Sequence, residues 1–353
     1  MAVYKIFPEK DAFILSQYPA QNTGRDEVLE VANINGINIQ ATTGGDLPAV
    51  TRALVQFKTS DINDVITNKI GNSVFQSDLK LYMAYAENAP LNYTIEAYPV
   101  SGAWDMGTGR VSDIPQTTNG VSWGWRGESG SNAWTTDGGD WYTNKSGSSQ
   151  DFVYTSNKDI SMNVTDMVKL WNSSSIDNNG FIVKHSASIE FSSSYVDTSY
   201  FSMDTHTIYP PTLEFKWDDS TYSSSLPPVT GSDFILSFTN LKEEFEDSGI
   251  YNFKIRSRDT YPARAFQTSS VYLDGKVLPT SSYWGLKDSK TGEMVVDFDT
   301  SYTKISANNN GNFFTVYMDG LEPERYYQLM VKTVVDDETL VIEDKGNYFK
   351  VIR

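Results

Sequence analysis

The residues of this chain best suited to hold something are aromatic. Five of its eight tryptophans, Trp104, Trp123, Trp125, Trp134 and Trp141, fall in one stretch over residues 101–149 that is rich in Gly, Ser, Thr and Asn, with Tyr142 beside the last. Indole and phenol rings offer flat apolar faces for stacking on sugars, and the same rings are favoured anchors at protein interfaces. These six residues are therefore the candidate contact set for a ligand or a protein partner, and one sequence does not separate the two uses. A third use stands beside them: a Trp-rich segment on a rigid scaffold also serves to cover the end of a core.

Other chemistry is sparser. The turn TTDGGDW sets Asp137 and Asp140 beside backbone carbonyls, an oxygen set that would suit calcium, though EF-hand spacing is missing and a solvated turn is the ordinary role of such a stretch. No other cofactor is expected. The two histidines, His185 and His206, have neither HxxxH spacing nor carboxylates at ligand spacing, which argues against zinc. No GxSxG elbow is present, and the serines sit in low-complexity turns, so a Ser/His/Asp hydrolase is hard to assemble. Glu96, Asp105 and Glu128 near the Trp-rich stretch could be paired for glycoside chemistry, but 45 acidic residues guarantee close pairs in any fold. The expectation is a protein that is not an enzyme.

Composition sets the outer limits. The formal net charge is −17 and no basic run occurs, which argues against nucleic acid as a partner. Cysteine is absent, so disulfides and thiolate metal sites are excluded. The opening MAVYKIFPEKDAF holds no apolar leader, and no stretch approaches the roughly 20 apolar residues that span a bilayer, so the expectation is synthesis in a cytoplasm without membrane insertion.

The elements that must position these residues are strands. Alternating runs occur at residues 3–7, 12–16, 28–32, 52–58, 77–86 and 93–99, and the last two look like antiparallel neighbours joined by a turn at 88–90. Helical spacing of Ile62, Val65, Ile66 and Ile70 predicts a helix over 60–70 capped by Ser60 or Asp61, and Met167, Leu170 and Trp171 predict a second, capped by Thr165. PPTLEFKW closes a first domain, 1–217; the polar stretch 218–232 reads as a linker. Over 233–353, runs such as IYNFKIRSRD, SSVYLDGKVL, NFFTVYMDGL and YYQLMVKTVVDD have the spacing of an Ig-like sandwich.

The N-terminal pieces DAFILSQYPAQNTGRDEVLEV, TRALVQFKTSDI, SDLKLYMAYA, SGAWDMGTG, NVTDMVKLWNSSSIDNNGFIV and PPTLEFKW resemble, in order, the DNRLRE family. That resemblance implies a jelly-roll-like β-sandwich related to carbohydrate-binding modules. The stretches SSYWGLKDSKTGEMVVDFDTSYTKIS and GNFFTVYMDGLEPERYYQLMVKT, with the ending NYFKVIR, are similar to terminal domains of tailed-bacteriophage virion proteins. Together they imply an all-β chain, a jelly-roll-like β-sandwich followed by an Ig-like one, acting in a neck, tail, baseplate or fibre. Its partners would be other virion proteins and copies of itself in a homo-oligomer; a host surface polysaccharide is the alternative.

Overall fold

Runs such as AFIL at 12–15, ALV at 53–55 and FIV at 181–183 carry no polar alternate, which is the pattern of strands covered on both faces. The structure, a computed structural model that describes residues 2–40, 46–87, 92–190, 196–261, 275–344 and 346–353, is all-β: strands make up 45% of the chain and helices 9%. The chain divides into two compact units. One comprises Ile6–Gly71 and Gln76–Glu214; the other comprises Met1–Lys5, Asn72–Phe75 and Phe215–Arg353. The residues through Lys5, expected in the first sandwich, thus belong with the C-terminal half.

Up to Trp217 the strands are β1 (Ala2–Ile6), β2 (Pro8–Leu15), β3 (Val28–Gln40), β4 (Asp46–Phe57), β5 (Phe75–Leu81), β6 (Met83–Glu87), β7 (Asn92–Pro99), β8 (Ser148–Val153), β9 (Ile160–Asn163), β10 (Phe181–His185), β11 (Val196–Phe201) and β12 (Thr212–Trp217). Eight of them form one sheet in the order β6-β11-β3-β4-β10-β7-β8, with β2 also on β4. Ile182 lies opposite both Leu54 and Tyr98, and Ala12 opposite Leu54, so these four share a face; Phe181, Val55 and Phe13 point to the other.

Residues 77–86 and 93–99 are not the neighbours expected. The first run breaks at Tyr82 into β5 and β6, which pair with β9 and β11, whereas β7 lies between β10 and β8. Alternation shows that a strand exists, not which strand it meets. The turn expected at 88–90 lies outside the described residues.

Both predicted helices are present but capped differently. α1 (Thr59–Asp64) runs into a wider π turn, Val65–Ile70, and its N-cap is Lys58 without a side-chain bond, not Ser60 or Asp61. Ile62, Val65, Ile66 and Ile70 are all buried, as their spacing predicts. α2 (Thr165–Asn172) starts from Val164, and the Thr165 hydroxyl instead accepts the Ser77 N–H at 2.8 Å. The Trp171 ring on α2 meets that of Phe181 at 4.7 Å, tilted 60° to it, filling the inner face of the sheet. α3 (Ala187–Glu190) follows β10 by one residue.

The C-terminal unit is a two-sheet sandwich. Its strands are β13 (Phe234–Phe238), β14 (Glu244–Glu246), β15 (Ile250–Asp259), β16 (Ser282–Asp288), β17 (Met294–Val296), β18 (Ser306–Asn308), β19 (Gly311–Tyr317), β20 (Tyr326–Val335), β21 (Glu338–Ile342) and β22 (Tyr348–Ile352). One sheet runs β13-β15-β19-β18; the other runs β14-β22-β20-β16-β17, with β21 on β20. β14 and β22 pair in parallel; the other described pairs are antiparallel. Aromatic rings tie the sheets together: Trp284 of β16 stacks on Phe314 of β19 at 4.9 Å, and Phe253 of β15 meets Phe349 of β22 at 5.6 Å. Val3 of β1 joins this core. Lys5 donates to the Val295 carbonyl at 2.7 Å, and Tyr4 to the Asp319 carboxylate at 2.9 Å. The stretch expected as a linker is also engaged, with Tyr222 bridged to Ala307 and Pro228 to Val277. Most of the strand expected over 269–278 lies outside the described residues.

Candidate functional site

The outer face of the large sheet is where the sequence candidates gather. Ala12, Ile14, Leu54 and Ile182 form its floor, and the segment 101–149 folds onto them, placing Val100, Trp104, Val121 and Trp134 in one cluster with Met106, Trp123 and Trp141 at its margin. Trp104 is 2% exposed and Trp134 4%, so both serve the core and neither is available to a ligand. Their indole N–H groups are satisfied within the fold, Trp104 donating to the Asn179 carbonyl at 2.8 Å and Trp134 to that of Ser122 at 3.0 Å. Lys10 lies over the Trp104 ring at 4.5 Å and donates to the Trp104 carbonyl; burial pushes its pKa down. Trp123, Trp125, Trp141 and Tyr142 are half-buried and keep part of their rings at the surface.

A charged group outside the aromatic and acidic candidates lies beneath those rings. Arg52 of β4 donates through Nε and Nη2 to the Glu190 carboxylate of α3 at 2.6 and 3.0 Å, and through Nη1 to the Gly138 carbonyl at 2.6 Å. Its guanidinium carbon is 4.8 Å from the Trp123 ring centre and 5.1 Å from that of Trp141. Lys184 of β10 lies 3.4 Å from Glu190 and 3.5 Å from Glu96 of β7, and donates to the His185 carbonyl at 2.7 Å. Arg52 and Lys184 are thus balanced by Glu190 and Glu96, and the fork of Arg52 is spent on internal acceptors. The arrangement fixes the loop to the sheet. The sequence signal was a charge set inside an otherwise apolar strand, in TRALVQF and again in FIVKH.

Asn22 holds the other end of the loop. Its amide donates to the carbonyls of Met106 and Val121 at 2.7 and 2.8 Å, and its oxygen accepts the Gly109 N–H at 2.7 Å. Glycine is required around it. A Cβ on Gly107, whose φ is +78°, would lie 2.4 Å from the Asn22 Oδ1, and one on Gly120 would lie 2.4 Å from the Gly107 Cα.

The remaining candidates are apart from this face or occupied. Asp140 uses both carboxylate oxygens to accept the N–H groups of Thr135 and Thr136, at 2.7 and 2.9 Å, closing its own turn, and Asp137 is exposed. Among the described residues no group of three or more His, Asp or Glu side chains could hold a metal ion. Glu96 pairs with Lys184, while Asp105 and Glu128 are exposed. His185 is buried, with Nε2 3.1 Å from the Val31 carbonyl and its ring edge against Tyr93; burial pushes its pKa down to about 4. His206 is exposed, 3.9 Å from Glu27.

Fold and site together define an all-β protein of two units, with an aromatic loop fastened over one sheet. No family model matches the chain, and no curated protein matches it. Among solved structures, a DUF4785 family protein from Legionella pneumophila aligns at 7% identity with a TM-score of 0.16, over 98% of this chain and 66% of that one. This chain therefore spans just under two thirds of the neighbour's length, and the likeness is too low to carry an argument.

Proposed function

We propose that this protein is a non-enzymatic structural component of a tailed-phage virion, acting by protein–protein assembly with other virion proteins and with copies of itself. One observation carries the reading. The loop that a sandwich would ordinarily offer to a ligand is turned inward: Trp104 and Trp134 are core residues, and Arg52 is saturated by Glu190 and Gly138. Sheet edges remain for contact. Among the described residues β6 and β8 end the large sheet and β13 ends one sheet of the sandwich, with Val153 and Tyr154 exposed at the end of β8 and Ile235 exposed on β13. Unpaired edges are templates for adding a strand from another chain, and symmetry repeats each such contact. The order of the sequence pieces resembling phage domains supplies the context.

A second reading, a host-polysaccharide adhesin, draws on the part-exposed rings of Trp123, Trp125, Trp141 and Tyr142. Size-exclusion chromatography with light scattering, followed by mixing with host cells, separates the two. A defined homo-oligomer that ignores cells supports assembly. A monomer whose cell binding is competed by soluble glycan and lost in Trp125→Ala overturns it.

A further inference from the structure

The C-terminal sandwich carries a concavity of about 480 Å³ on its β13-β15 face, a volume within the range of small-ligand sites. Its floor follows from strand register. Ile235 pairs with Arg258 and Ser237 with Arg256, so two arginines two residues apart project from one face of β15 beside Ile235 and Ser237. Lys276, which bridges Ser257, forms one wall, and the turn carrying Asn309 and Asn310 forms another.

Three cations converge there in a chain of net charge −17. Like charges on one sheet face repel, so such a group ordinarily carries its own carboxylates. Among the described residues the neutralisation is incomplete. Asp259 pairs with Lys276 at 2.7 Å, whereas the Arg258 side chain reaches only the Asp259 carbonyl, at 3.0 Å. The Arg256 side chain, which lines the concavity, has no ion pair or hydrogen-bond partner among the described residues.

The geometry points to an anion-binding site here, for a carboxylate or phosphate group carried on a small hydroxyl-bearing body such as an acidic sugar. Two guanidinium forks suit planar or tetrahedral oxyanions, and Ser237, Asn309 and Asn310 offer neutral hydrogen bonds for hydroxyls around them. This site shares Ile235 of β13 with one of the sheet edges named for assembly and lies wholly within the C-terminal unit.

The test is isothermal titration calorimetry of the full chain at low ionic strength with inorganic phosphate, glucuronate and glucose. Saturable binding of at least one anion, weakened by added sodium chloride and absent with glucose, is expected. Arg256→Glu and Arg258→Ala should each weaken it at least tenfold, while Arg110→Ala, an exposed arginine of the other unit, leaves it unchanged. Near-UV circular dichroism checks that each variant is folded. Phosphate alone binding assigns a phosphate ligand, glucuronate alone an acidic sugar, and both at equal strength the oxyanion itself. No heat with either anion, or folded Arg256→Glu and Arg258→Ala proteins that bind as tightly as the parent, would overturn the site.

Discussion

Arg52 and Glu190, 138 residues apart in sequence, meet as a two-point ion pair with both side chains inside the protein, 6% and 1% exposed. The pair joins strand β4 to the short helix after β10, and the third hydrogen bond of Arg52 draws Gly138 of the Trp-rich loop down onto the same point. Removing one member of such a pair costs more than the pair contributes, because the other charge stays buried.

Arg52→Met should therefore destabilise the N-terminal unit by about 3–5 kcal/mol, somewhat less to the extent that Lys184 still neutralises Glu190. Urea unfolding followed by tryptophan fluorescence reads this directly. A midpoint equal to that of the parent would show that Arg52 does not hold the loop.

Asn22→Ala should cost about 3 kcal/mol, since it removes the donor to two carbonyls and the acceptor for the Gly109 and Gly24 N–H groups. Hydrogen exchange of the Gly109 amide, whose proton sits on Asn22, should accelerate in the variant. Unchanged protection there would refute the anchoring role.

In the C-terminal core, the buried Trp284 stacks on Phe314 while its indole N–H has no partner among the described residues. Trp284→Phe keeps most of the stack and removes the orphan donor, so it should cost under about 1.5 kcal/mol, whereas Trp284→Ala should cost about 3–5 kcal/mol. Thermal melts of the two variants decide the matter; equal losses would contradict the stacking account.

The acidic side chains on and beside β2 and β3 set the pH response. Burial raises Asp11 and Glu30 to about 7 and Asp26 to about 6, so each binds its proton more tightly folded than unfolded. Their stabilisation is complete below the ordinary carboxylate values and is lost as pH rises through 6 to 7. His185 acts oppositely: held down at about 4, it contributes above its ordinary 6.5 and loses that contribution as pH falls toward 4. The two more deeply buried carboxyls, Asp11 and Glu30, with a smaller part from the half-exposed and solvent-screened Asp26, outweigh one imidazole. The N-terminal unit should therefore be more stable near pH 5 than near pH 8 by a few kcal/mol, on the order set by one pKa unit per about 1.4 kcal/mol. Asp11→Asn should recover part of the loss at pH 8. A chain more stable at pH 8 than at pH 5 would reverse the assignment.

Much of the strand content was legible because strand periodicity is local. The segments around Val28, Asn92 and Ile250 begin close to where alternation places them, and the apolar spacing of Ile62, Val65, Ile66 and Ile70 marks a buried helical face. Partnership was not legible, because β7 could satisfy its backbone against any strand of matching face, and it lies between β10 and β8 rather than beside β6. Of the candidate site, tryptophan type alone did not say which rings turn inward. That is decided by Arg52, Lys184 and Asn22; Arg52 and Asn22 lie in TRALVQFKTSDI and DAFILSQYPAQNTGRDEVLEV, stretches that do not themselves show what the two side chains hold. A charge inside an apolar strand, and paired arginines in IRSR, were the signals a sequence could have offered.

The placement of β1 bears on the order in which this protein can mature. Val3, Tyr4 and Lys5 complete a unit whose other contacts include Val295, Tyr317, Asp319 and Phe349. The partners of Lys5 and Tyr4, Val295 and Asp319, follow them by 290 and 315 residues in sequence. β1 can pair with β12 once that strand exists, but its side-chain partners in the C-terminal unit come later still, so that unit can close only after the segment bearing Asp319 has been made. Nascent chains stalled before Val295 should leave the Tyr4 and Lys5 side chains without those partners, which makes closure of the C-terminal unit a late step in the making of the molecule.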